Sequence, residues 1–361
     1  MTDYERSMQE AWAQAQAPRA KDAPTVITTF AGMGGSSLGY KMAGFDVRLA
    51  AEWDEEAVET YRLNFPKTPV FHGDVTALSV EQALELAQLQ PGQLDVLDGS
   101  PPCQGFSTSG GRSLDDERNQ LFRQYVRLLE GLMPRAFVME NVSGMVKGKM
   151  RGTFAEILQA LKAAGYFVSA RLLNAMYLGV PQARERMIFV GVRKDLGVQP
   201  AHPTPWSRPI TVAQALEGVV NDPAELALLF EAGKKYTHWE RVRPGSSVKY
   251  DVTGYSGFNS IKIHPGKPAP TIGKSTSILN MFHVTHWSER RKFTMVEYQR
   301  LFGIPEGYQW PARGGLSEAW SNAVARMGNC VPPLLTRSVA QTVRRILAEP
   351  GKMAGDASSA A

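Results

Sequence analysis

From Pro24 to Val192 the chain alternates short apolar runs with stretches of helical spacing, and this alternation restricts the fold more than any other property of the sequence. Val26–Phe30, Val47–Ala51, Val70–Phe71, Leu94–Leu97 ending in Asp98, and Ala136–Met139 read as strands. Ser36–Met42, Glu55–Asn64, Val80–Leu89 and Asn119–Leu132 separate them with helical periodicity, and Thr153–Ala164 follows. Repeated units of this kind predict an α/β fold built on a doubly wound, mostly parallel, Rossmann-like sheet. Phe167–Leu173 and Met187–Val192 are expected to add an antiparallel pair.

The texture changes near Arg193. Residues 193–287 are rich in Pro, Gly, Ser and aromatics, with one clear helix near Val212–Leu216, and read as a second, smaller, irregular β-rich domain. Between Lys234 and Trp287 eight Lys and Arg residues face two acids, Glu240 and Asp251. Helical spacing returns at Thr294–Phe302 and Ala319–Arg326, and a last helix spans about Pro333–Leu347. Residues 24–192 and 288–348 are thus expected to form one domain interrupted by the basic one. Residues 1–23 read as a polar tail or loose helix, and 349–361 as a disordered tail.

With 361 residues and 43% hydrophobic content, the chain can bury a large core, which excludes an intrinsically disordered protein. The net charge of +5 permits a polyanionic partner without requiring one. Two cysteines, Cys103 and Cys330, with no CxxC pair, exclude a disulfide framework and a cysteine zinc site. They suit a reducing compartment. The absence of a long apolar run and of a signal-peptide core at the start places the expectation in the cytoplasm, with no membrane association. His283 and His286 lack a third ligand type nearby, so no metal site is expected.

Chemistry collects at the predicted strand ends. Phe30-Ala31-Gly32-Met33-Gly34-Gly35 supplies the glycines of a nucleotide-binding turn, although Ser37 breaks the full GxGxxG pattern. Glu52 lies 20 residues past Gly32 at the end of the second strand, and Asp74 ends the third. Together they point to a nucleoside cofactor whose identity stays open at this level. Pro101-Pro102-Cys103-Gln104 fixes a thiol on a stiff turn after Asp98, because neither proline tolerates a helix. Taken alone, such a cysteine is more often a small buried hydrophobe. Glu140, ending the fifth strand, either caps the next helix or serves as a general acid beside that thiol. Arg184 and Arg186 alternate along an extended segment, as a charged face or as a clamp for a phosphate or a base carbonyl.

In order and spacing, five segments resemble the cytosine-5 DNA methyltransferase family of prokaryotic type. They are Phe30-Ala31-Gly32-x-Gly34-Gly35, Pro101-Pro102-Cys103-Gln104, Glu140-Asn141-Val142, Gln182-x-Arg184-x-Arg186 and Gly328-Asn329-x-Val331. The resemblance covers about residues 25–347 outside the basic segment. Cys330 departs from it, since a small residue such as Ser is commoner there. It implies the class I methyltransferase fold, S-adenosyl-L-methionine as donor, and methyl transfer to carbon 5 of a cytosine flipped out of double-stranded DNA. Phe30, Gly32, Gly34, Glu52, Trp53, Asp74, Val75, Asp98, Pro101, Leu121, Asn329 and Val331 would form the cofactor site. Cys103 would be the nucleophile, Glu140 the acid at ring nitrogen 3, and Arg184 the contact to the cytosine carbonyl, with Arg186 in support. Gln104 and Ser107, together with Lys234, Lys235, Arg241, Arg243 and Lys249 of the basic segment, would touch DNA. Lys262, Tyr236, Trp239, Tyr250 and Tyr255 are expected to join them in tracking phosphates and reading base edges. A cognate restriction endonuclease as functional partner and a monomeric state follow the family habit. The competing readings are a transfer-RNA methyltransferase of the same fold, whose Cys-Phe-Thr signature has no counterpart here, and a catalytically silent DNA-binding relative.

Overall fold

The computed structural model describes residues 2–102, 120–142, 144, 151–256, 259–274, 277–279, 281 and 283–348. Its strands in the first half are β1 (Thr25–Thr29), β2 (Asp46–Glu52), β3 (Val70–His72), β4 (Val96–Gly99), β5 (Ala136–Val142), β6 (Tyr166–Asn174), the short β7 (Gln182–Ala183) and β8 (Glu185–Arg193). Seven of them form one sheet in the order β3-β2-β1-β4-β5-β8-β6. The first five are mutually parallel, whereas β8 runs antiparallel to both β5 and β6. The order reverses between β1 and β4, which opens a crevice at the carboxyl ends of the strands.

Successive side chains point to opposite faces of a strand. Val26, Ala50, Val96, Val138 and Val190 accordingly enter one core, and Ile27, Leu49, Leu97, Phe137 and Phe189 the other. Burial of each Val, Ile, Leu or Phe side chain among them contributes about 1.5–3 kcal/mol. Helices α1 (Asp3–Gln16), α2 (Gly35–Met42), α3 (Glu55–Asn64), α4 (Val80–Ala87), α5 (Gln120–Leu132) and α6 (Arg151–Ala163) pack around the sheet. Their starts are chemically marked: Asp54 accepts from the Ala57 amide at 2.9 Å, and Ser79 from Gln82 at 3.1 Å.

Residues 194–287 contain α7 (Val212–Leu216), α8 (Pro223–Gly233), α9 (Val248–Asp251), β9 (Ser260–Lys262), β10 (Ala269–Pro270) and β11 (His283–Thr285). The described strands there are two or three residues long, so loops and short helices carry more of this region than a β-rich reading anticipates. Their small core holds Tyr236, Trp239, Val242, Val248, Val252 and Met281. The chain then returns through α10 (Met295–Phe302), α11 (Leu316–Asn329) and α12 (Pro333–Ala348). Along α12, Pro333, Thr336 and Arg337 lie so close to Gly39 of α2 that a side chain there would collide with them. No helix among the described residues is long and apolar enough to cross a membrane.

Candidate active site

The turn after β1 is shaped by backbone that ordinary residues avoid. Phe30, Gly32 and Gly34 have φ of 54°, 55° and 96°. A non-glycine in this region carries strain that its surroundings must hold. At Gly32 an added Cβ would meet nothing within 4 Å, so the turn faces open space. Gly35 is different, because a Cβ there would fall 2.6 Å from the Val331 carbonyl. The Gly328-Asn329-Cys330-Val331 segment is therefore packed onto this turn, with Asn329 exposed at the end of α11.

Glu52, at the end of β2, is nearly buried, and three amide groups aim its carboxylate. Gly32 donates to one oxygen at 2.7 Å, while Trp53 and Asp54 donate to the other at 2.9 and 3.0 Å. A carboxylate has about four acceptor positions, so one remains for a ligand hydroxyl. The Trp53 indole beside it is 74% exposed. Asp74 caps a short helical turn by accepting from Thr76 at 2.8 Å, and Val75 behind it is buried. Leu121 packs partly buried at the start of α5.

Asp98 sits beneath the crevice, buried, and accepts a hydrogen bond from the Tyr40 hydroxyl at 3.2 Å. Burial pushes its carboxyl up to about 7, and the negative charge of Glu140 adds to the rise. The Tyr40 bond sets it against α2. Pro101 is buried, and its carbonyl accepts from the Asn141 amide at 3.2 Å. Asn141 also accepts from the Val142 amide at 2.8 Å, so it ties the end of β5 to the segment that leads into Cys103. Asn141 was legible only as part of its motif, because nothing in an Asn between Glu and Val reveals a partner 40 residues away. Cys103, Gln104 and Ser107 lie outside the described residues.

Glu140 forms an ion pair with Arg186, whose Nε is 2.6 Å from its carboxylate, and the two side chains are only 14% and 13% exposed. Burial raises the Glu140 carboxyl above the usual carboxylate range, with Arg186 and Arg184 pulling the other way. The result is an acid able to hold a proton closer to neutrality than a solvated glutamate.

The two arginines of the motif have different partners. Arg184 is 1% exposed, and it is Arg186 that pairs with Glu140. Arg184 donates to the carbonyls of Ile272 and Gly328 at 2.8 Å and of Cys330 at 3.1 Å, and its guanidinium lies 5.7 Å from the Phe302 ring. Burial lowers it to about 10, still charged at neutral pH. Gln182, equally buried, donates to the Leu301 carbonyl at 3.2 Å and accepts from the Ile272 amide at 3.0 Å. Gln182 and Arg184 thus tie the β7–β8 stretch to the basic segment and to the carboxyl ends of α10 and α11, and Arg186 is the guanidinium at the acid. Alternation along a strand puts two side chains on a common face but does not say which carbonyls wait for them. The Cys330 thiol is buried, which raises it to about 11 and leaves it a poor nucleophile.

In the basic segment, Lys234, Lys235, Arg241, Arg243 and Lys249 are exposed. Lys234 pairs with Glu231 at 2.5 Å and Arg243 with Asp251 at 2.8 Å. Tyr236 and Trp239 are core residues and cannot read bases, and Lys262 is buried with its ammonium 3.4 Å from the Trp239 ring centre. Tyr250, by contrast, is 87% exposed.

A model of the C-5 cytosine-specific DNA methylase family matches residues 25–345. Among similar proteins, the type II methyltransferase M.XorII of Xanthomonas oryzae is 31% identical, over 90% of this chain and 85% of its own. The type II methyltransferase M1.HphI of Haemophilus parahaemolyticus is 32% identical, over 89% and 87%. Among solved structures, a prophage-encoded E. coli protein described as a DNA modification methyltransferase superposes with a TM-score of 0.70 at 25% identity, covering 91% of this chain and all of its own. The S. pombe Dnmt2 methyltransferase, at 17% identity and a TM-score of 0.63, shares the fold over 90% of this chain and all of its own. Matched along nearly its whole length by the family model, the chain belongs to the C-5 cytosine-specific DNA methylases.

Proposed function

We propose that this protein transfers a methyl group from S-adenosyl-L-methionine to carbon 5 of a cytosine flipped out of double-stranded DNA, acting as a cytoplasmic monomer within a restriction-modification pair or as a solitary methylase. The observation that carries the reading is the Glu140–Arg186 pair at the end of β5, joined through Asn141 to the carbonyl of Pro101, two residues before Cys103. The residues around the Gly32 turn fit the donor: an open backbone turn, a fixed Glu52 carboxylate with an acceptor position to spare, and the exposed Trp53 indole. When bound, that donor supplies its methyl group as an electrophile on a sulfonium centre.

The chain's own residues make the base reactive. Carbon 5 of cytosine is a weak nucleophile. The Cys103 thiolate forms a bond to carbon 6 as Glu140 gives its proton to ring nitrogen 3, which leaves an enamine with electron density on carbon 5. Arg186 orients Glu140 and offers a cation beside the base carbonyl, the role first expected of Arg184. After methylation a base removes the carbon 5 proton, the carbon 6–sulfur bond breaks, ring nitrogen 3 returns its proton to Glu140, and the thiolate is regenerated. Exposed cations of the basic segment hold the DNA backbone. The family match does not favour a transfer-RNA or silent reading.

Duplex DNA with 5-fluorocytosine at the target tests this directly, since fluorine cannot leave as a proton. A denaturation-resistant adduct should form with the parent protein and be absent from Cys103→Ala, which should still bind DNA. Methyl transfer at the parent rate by Cys103→Ala would refute the assignment. Bisulfite sequencing of DNA from a methylation-free host expressing the chain identifies the target sequence.

A further inference from the structure

The family match begins at residue 25, so α1 lies outside it. Yet α1 is connected to the Gly32 turn by an unbroken set of contacts. A capping box between Thr2 and Glu5 fixes its start, and Tyr4, Met8, Ala11 and Ala15 bury one face at helical spacing. Tyr4 donates to the Arg300 carbonyl at 2.5 Å, and Glu5 lies 3.8 Å from the Arg300 guanidinium. These contacts seat α1 on α10. Trp12 then meets Tyr308 edge to face at 6.3 Å and covers Gly307, where a Cβ would come within 2.6 Å of the indole nitrogen.

Tyr308, fully buried, donates its hydroxyl to the carbonyl of Met33, the residue between Gly32 and Gly34. Its ring also meets Phe65 at 6.1 Å, and Phe65 touches the turn itself, since a Cβ on Gly34 would fall 2.7 Å from that ring. A turn with positive φ at Phe30, Gly32 and Gly34 has weak intrinsic preference for one shape, and Phe30 pays a steric penalty there. Its shape must be imposed from outside. The Tyr308 hydroxyl and the Phe65 ring do this from below, and Trp12 holds Tyr308.

We propose that α1 is a built-in brace for the methyl-donor site, with Trp12 and Tyr308 as positioning residues that act on donor affinity through the Met33 carbonyl. This rests on the reading of the Gly32 turn as the donor site. Tyr308→Phe removes only the hydroxyl, Trp12→Ala removes the brace, and Trp12→Phe keeps an aromatic edge. Binding of S-adenosylhomocysteine to the full chain, measured by calorimetry without DNA, should weaken about tenfold in Tyr308→Phe and about fivefold in Trp12→Ala, as expected for losing one buried hydrogen bond or its support. Trp12→Phe should recover most of the affinity. Duplex DNA affinity without cofactor should stay within about twofold of the parent, and KM for the donor should rise far more than kcat falls. Donor affinity within twofold of the parent in Tyr308→Phe overturns the proposal even if Trp12→Ala does not fold. So does an equal fall in DNA and donor affinity, which would mean general loosening. A parent protein that fails to bind S-adenosylhomocysteine would instead refute the donor-site reading.

Discussion

Replacing Arg184 and Arg186 separately by Ala should give opposite signatures, although both belong to one five-residue motif. Arg184→Ala leaves the carbonyls of Ile272, Gly328 and Cys330 without their donor in a place water does not reach. An unsatisfied buried carbonyl costs about 1–3 kcal/mol. The lower end applies, because removing the guanidinium also removes its own desolvation. Three carbonyls at about 1 kcal/mol each give a loss of about 3 kcal/mol, within the ~5–15 kcal/mol that holds a domain together. Arg184→Lys should recover part of this, since one ammonium cannot span three carbonyls in fixed directions. Arg186→Ala removes a pair whose acid can take up a proton, so its stability should fall by about 1 kcal/mol or less. Its kcat should instead fall by about 10²–10³, as for loss of a charged group at the reacting centre. Urea unfolding with an unchanged m-value reads the first quantity and single-turnover methylation the second. If Arg184→Ala unfolds within 1 kcal/mol of the parent while losing kcat as Arg186→Ala does, Arg184 contacts the base and the assignment above is wrong.

Two further outcomes follow from charges. Asp98 has a folded-state pKa raised to about 7, so its contribution to stability is present below about pH 4 and lost as pH rises through 7. Asp98→Asn, which keeps an acceptor for Tyr40, should therefore gain on the parent between pH 5 and pH 8, by at most ~3 kcal/mol. Equal urea midpoints for the pair at both pH values would argue against it. Lys249 is exposed with no ion pair among the described residues, whereas Lys234 is held by Glu231. Lys249→Ala should lower the slope of log Kd for duplex DNA against log salt by about 1, and Lys234→Ala by less. Anisotropy titrations across a salt series decide this, and identical slopes would remove Lys249 from the DNA face.

The alternation of apolar runs and helical stretches sufficed to set the parallel sheet, since strand and helix periods differ and each buries a face. The carboxyl-end crevice then followed from topology, and with it the neighbourhood of Gly32, Glu52 and Glu140. Even missed elements left local marks. Asp222-Pro223 is a helix start, and α8 runs from it. Tyr4, Met8, Ala11 and Ala15 are the stripe of α1, which the polar residues around them obscured. The partner of each long side chain was not legible. Tyr236 and Trp239 look like base readers in a basic, aromatic stretch, and their burial depends on Met281 and Val252 arriving from elsewhere in the chain. Arg184 and Arg186 are chemically identical and two residues apart. What separates them is where the Ile272 loop and the end of α11 place their carbonyls, 88 to 146 residues away. Local sequence sets backbone period and caps, because those depend on neighbours a few residues off. Which buried charge meets which acceptor is decided only when distant segments pack.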